Sequence, residues 1–68
     1  MTLTVNGKAM QVPAGITLHQ LMIMMSVSAN GRGSAAAVDG VVAPRSRWES
    51  LELRAGQHVE ILTATQGG

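Results

Sequence analysis

The stretch whose residue types could take part in a reaction is the C-terminal Gln66-Gly67-Gly68. Neither glycine has a Cβ, so this backbone can thread a channel too narrow for any side chain. The carboxylate of Gly68 is unhindered. It suits attack on the α-phosphate of a nucleotide and later capture of the acyl group by a nucleophile. A glycine pair at a chain end is also what an ordinary frayed terminus looks like. The body in front of it decides between the two.

That body offers little chemistry of its own. His19 and His58 are the two histidines and there is no cysteine, so metal-ligand spacing, thiolate chemistry and a disulfide framework are all missing. His19 falls early on a helix and His58 opens a strand, and both read as surface residues. Asp39, Glu49, Glu52 and Glu60 form no pair for acid–base work, and no nucleophile elbow surrounds any serine. A chain of 68 residues has little room to enclose a substrate. Any reaction is therefore expected to be done to this protein and not by it. The formal net charge of +1 and one tryptophan as sole aromatic leave no basic stripe for nucleic acid. The apolar run Leu21–Met25 is too short to cross a bilayer, and no signal peptide is expected. The lack of cysteine fits the cytoplasm. Trp48 reads as a packing anchor. Its neighbours Arg45 and Arg47 read as solvated, within reach of a partner's acidic surface.

Elements to position the terminus follow from periodicity. Met1–Val5 and Lys8–Val12 alternate apolar and polar about Asn6-Gly7, the signature of a two-residue hairpin. Pairing Val5 with Lys8, Leu3 with Met10 and Met1 with Val12 puts the apolar set on one face, Lys8 at the rim apart. Pro13-Ala14-Gly15 breaks the hairpin. Thr17 with Gln20 makes a capping box, and Ile16 can staple onto Leu21. A helix is expected from Leu18 to about Val27, with Leu18, Leu21, Met22 and Met25 on one stripe. Ile23 and Met24 lie off it, so either the helix is buried on more than one side, the reading preferred here, or part of its apolar surface meets a partner. Residues 28–34 resemble a phosphate loop but lack its lysine and following helix, and so read as a connection. Ala35–Val38 and Val41–Ala43 form a short hairpin about Asp39-Gly40. Leu51-Glu52-Leu53 is a brief extended or helical piece, a possible cover for the sheet edge. His58–Thr63 is the last strand, with Val59 and Ile61 inward and Leu62 outward, a candidate partner contact. The whole reads as α+β, with one mixed sheet of four to five strands packed on one helix. Residues 1–63 form the domain, and 64–68 are expected to be a flexible tail.

With those elements in order, the chain resembles the ThiS-type sulfur carriers of thiamine biosynthesis, a ubiquitin-like β-grasp family. The resemblance rests on Asn6-Gly7, Ile16-Thr17-Leu18, Ala37-Val38-Asp39-Gly40, Val42-Ala43-Pro44-Arg45-Ser46 with Trp48, Gly56–Ile61, and Gly67-Gly68. It covers nearly the whole chain. It implies a β-grasp fold and a carrier, not an enzyme, with no bound cofactor. An activating enzyme would use ATP to adenylate Gly68, and a sulfur donor would convert the adenylate to a thiocarboxylate. Thiazole synthase would receive the sulfur. Gly67 and Gln66 would be recognised with the terminus, and Leu62 and Arg45 would touch partners. A carrier for a molybdopterin-type or amino-acid product, or a protein modifier, shares the same first step. The chain departs from the family in its uncharged helix run, in Thr65, and in the small Ala36 and Ala43. Methionines of the helix are expected to fill the space those alanines leave.

Overall fold

The computed structural model describes residues 1–25 and 33–63. Two tight turns organise the strands. Asn6 and Asp39 each have φ 51°, and Gly7 and Gly40 each have φ 83°. Two consecutive left-handed residues are the geometry of a type I′ turn, whose twist matches that of the strands it joins. The first turn pairs β1 (Thr2–Val5) with β2 (Lys8–Gln11), Leu3 opposite Met10 and Val5 opposite Lys8, as the alternation requires. Beyond them the Val12 N–H donates to the Met1 carbonyl at 2.8 Å, and the Met1 ammonium donates to the Val12 carbonyl at 2.7 Å. The second turn pairs β3 (Ser34–Val38) with β4 (Val41–Ala43). β5 (His58–Thr63) lies between the hairpins, parallel to β1 and antiparallel to β3. The result is one mixed five-stranded sheet in the order β2-β1-β5-β3-β4.

The helix α1 (Leu18–Met24) covers the apolar face. All four N–H groups that an α-helix leaves open at its start are met here. The Thr17 N–H donates to Gln20 Oε1 at 3.0 Å, and the Gln20 N–H donates to Thr17 Oγ1 at 3.1 Å. The Leu18 N–H donates to the Leu51 carbonyl at 2.9 Å, and the His19 N–H to the Trp48 carbonyl at 3.0 Å. The segment Leu51–Leu53 is thus extended and bridges Thr17 through Glu52, with the Leu53 N–H returning to the Ile16 carbonyl. It covers the start of the helix and not an edge of the sheet.

Two expectations about the helix are corrected. It ends at Met24 and not near Val27, which lies outside the described residues. The N–H of Met25 is shared between the carbonyls of Leu21 and Met22, a tightening typical of a last turn. Nor is the helix buried on more than one side: Ile23 and Met24 are 50 % and 49 % exposed. The sheet occupies one flank only, so residues off the stripe of Leu18, Leu21 and Met22 face outward.

The core joins that stripe to Leu3, Val5, Val12, Ile16, Leu53, Val59 and Ile61. Ala36 and Ala43 stand opposite each other across β3 and β4 and are buried. Met22 is buried in the same cluster as these alanines, and Met25 is partly buried against that cluster. Trp48 belongs to it too. The polar run after Pro44 winds into a 3-10 turn, Arg45–Arg47, which carries Trp48 inward to 2 % exposure. Its indole N–H donates to the Ala43 carbonyl at 2.8 Å, so the ring is buried with its one polar atom satisfied.

Candidate functional site

The terminus singled out by its residue types, Gln66-Gly67-Gly68, lies outside the described residues. What is described is the strand that leads to it. β5 sits in the middle of the sheet, and its last three residues, Ile61–Thr63, pair with β3 at Ala36, Ala35 and Ser34. The chain reaches residue 64 from the centre of the sheet and not from a loose edge.

Around that exit the sheet face turned away from the helix is apolar. Leu62 is 71 % exposed on it, as the alternation of β5 predicts. Ala35 stands opposite Leu62, Ala37 opposite Glu60, and Val42 opposite Ala37. Together Ala35, Ala37, Val42, Glu60 and Leu62 line a shallow hollow beside the exit. Val42 is 72 % exposed. An exposed apolar cluster with one acidic member is the form of a docking surface. Round the β4 edge, Val41, Val42, Pro44, Arg47 and Leu51 line a second, open groove of about 410 Å³. Arg45 lines neither hollow; its neighbour Arg47 is the cation the fold brings beside Val42. Sequence reasoning missed Val42. Its signal was present in the register, because a two-residue turn at Asp39-Gly40 must place Val42 on the face of Ala37 and Leu62.

A second omission concerns the turns. In the sequence Asn6 and Asp39 mark hairpin turns and nothing more. Their side chains also hold β5. Asp39 Oδ1 accepts from the His58 N–H at 2.9 Å and Oδ2 from Gln57 Nε2 at 3.3 Å. Asn6 Oδ1 accepts from the Ile61 N–H at 2.8 Å.

The described residues contain no assembled catalytic group. His58 is exposed at the start of β5 and His19 is half-buried on α1. No cluster of three or more potential metal ligands occurs among them, and no polar or charged side chain among them is buried. No helix among them is long and apolar enough to cross a membrane. The body frames a terminus and supplies no reactive array.

Comparison with known proteins decides what kind of frame it is. The model of the ThiS family matches residues 3–68, nearly the whole chain. The chain belongs to the ThiS family. A crystal structure of a thiamine biosynthesis protein (ThiS) from Geobacter metallireducens is similar over 100 % of both chains, at 27 % identity and a TM-score of 0.82. A solution structure of a thiamine biosynthesis protein from the same organism matches 100 % of this chain and 88 % of that one, at 27 % identity and a TM-score of 0.81. No curated protein matches. The ThiS family consists of small sulfur carriers of thiamine biosynthesis with a ubiquitin-like β-grasp fold, and this ThiS chain is a carrier and not itself a catalyst. In general terms its family places it with an activating enzyme and a thiazole synthase.

Proposed function

We propose that this ThiS chain carries sulfur as a thiocarboxylate on Gly68. The observation that carries the reading is the span of the family match, which runs through Gly67 and Gly68. The steps balance without help from the carrier's own side chains. An oxygen of the Gly68 carboxylate attacks the α-phosphorus of ATP in the activating enzyme, and pyrophosphate leaves. The carboxylate is now an acyl-adenylate, a mixed anhydride with a good leaving group. A sulfur donor delivers sulfur to the acyl carbon, AMP departs, and one oxygen has been replaced by sulfur. The thiocarboxylate is a good nucleophile at neutral pH and passes its sulfur to the ring built by thiazole synthase. ATP is a substrate of the activating enzyme, and the carrier needs no cofactor of its own. The reactions belong in the cytoplasm.

Each recognition role has a physical reason. Gly67 leaves the backbone thin enough for a narrow channel, and Gln66 offers an amide for hydrogen bonding at its mouth. Leu62, with Val42, Ala35 and Ala37, gives the partner an apolar surface next to the exit. Arg45 would meet an acidic rim. The test is the intact mass after incubation with ATP, a sulfide source and the activating enzyme. One oxygen at the C-terminus should be exchanged for sulfur, and a chain lacking Gly68 should show no change. An unchanged mass of the full chain defeats the reading. Covalent adducts on lysines of other proteins would point to a modifier instead.

A further inference from the structure

We infer that Asn6 is a positioning residue for the carrier terminus, acting through the main chain of Ile61; this rests on the carrier reading above. The ladder between β1 and β5 shows why. In this parallel pair the Thr4 N–H donates to the Gln57 carbonyl at 3.0 Å, and the Asn6 N–H donates to the Val59 carbonyl at 2.9 Å. One step further, a continuing strand would offer the Asn6 carbonyl to the Ile61 N–H. The turn forbids it, because Asn6 has φ 51° and its backbone swings toward β2. The side-chain carbonyl takes the vacated place, accepting from the Ile61 N–H at 2.8 Å across 55 positions of sequence.

That substitution matters because of where it falls. Past Val59 β1 offers β5 no further backbone rung, and β3 is the strand with which Ile61–Thr63 pair. Among the described residues the Asn6 side chain ties this stretch on the β1 side, and the stretch ends five residues before Gly68. With the tie, the end of β5 stays in the plane of the sheet and the C-terminal pentapeptide starts from a fixed direction. Without it, that end can lift toward the open side, and the terminus enters the partner's channel from a spread of directions. The turn itself does not need a carboxamide. Asp39 fills the same turn position at the same φ, and its side chain likewise accepts a β5 N–H, from His58 at 2.9 Å.

The test uses the full-length chain and two variants. Asn6→Gly keeps the left-handed backbone and removes the acceptor. Asn6→Asp keeps both, as Asp39 does. In the unaltered protein the Ile61 amide should resist hydrogen exchange as well as the Val59 amide does. In Asn6→Gly, exchange at Ile61 should rise about tenfold relative to Val59. The KM for the carrier in ATP–pyrophosphate exchange by the activating enzyme should rise about three- to tenfold at unchanged kcat, because only a fraction of chains present the terminus correctly. Asn6→Asp should restore both. An unprotected Ile61 amide in the unaltered protein overturns the proposal, and needs no variant to fold. So does an unchanged KM in Asn6→Gly, or an Asn6→Asp as impaired as Asn6→Gly. If the unaltered chain supports no exchange at all, the carrier reading falls first and takes the positioning role with it. Exchange by the unaltered chain matched by Asn6→Gly removes the positioning role alone.

Discussion

Single residues here do two jobs where the sequence advertises one. Thr17 is an N-cap, and its hydroxyl and the Gln20 amide satisfy each other's backbone donors. Thr17→Ala removes the acceptor for the Gln20 N–H at an exposed helix start. Unfolding free energy from a denaturant titration should fall by about 1 kcal/mol. The adenylation KM should not change, because Thr17 stands on the helix and not on the face of Leu62. Trp48 is both filler and donor, its indole closing on the Ala43 carbonyl. The capping box and the Trp anchor were legible because each depends on residue type and short spacing. The grip of Asn6 and Asp39 on β5 was not, because their partners are remote in sequence and no local pattern records such a contact. Nor could the sequence separate Arg45 from Arg47 by position. Which of two arginines in a short turn lies beside Val42 depends on the winding of that turn, and composition is silent on it.

At the scale of elements, both hairpins were readable, the first with its register, since alternation and a two-residue loop leave one consistent pairing. The type I′ turns carry a cost that a substitution can measure. Gly40 has φ 83°, and a Cβ there would meet nothing within 4 Å. The cost of Gly40→Ala is therefore backbone strain without collision, about 1–2 kcal/mol. A denaturation midpoint shifted by that amount at unchanged m-value checks it, and an unchanged midpoint contradicts it. The helix was read with its start correct and its end too long. The start is written in side chains, through Thr17 and Gln20. The end carries no such side-chain signal: at Met25 one N–H is shared between two carbonyls, which the apolar run Leu21–Met25 does not announce. The same run suggested burial on several sides. One sheet can cover only one flank of a helix, so Ile23 and Met24 remain half exposed.

Across the whole molecule the two faces of the sheet have divided roles. The inner one is filled by α1 and Trp48. The outer one leaves Leu62 and Val42 open beside the exit of the chain. Leu62→Asp puts a charge on a largely exposed side chain of a strand, so stability should fall by no more than about 1 kcal/mol, the span of strand propensity. Adenylation efficiency should fall about tenfold or more if that face is buried by the activating enzyme, as burial of an unpaired carboxylate would dictate. Unaltered efficiency would show that the partner docks elsewhere. The α+β class and the inward set on β5 were legible from the sequence, but the central place of β5 came only with the structure, because strand order is a long-range property. That place has a consequence for biosynthesis. The two hairpins touch β5 and are joined in the sheet only through it. Isolated two-stranded ribbons are marginal in water. A nascent chain still lacking His58–Thr63 thus holds two unsupported ribbons and an uncovered helix. Stalled or truncated products should remain open to proteases, and only a polypeptide read through to its last strand can close and enter service.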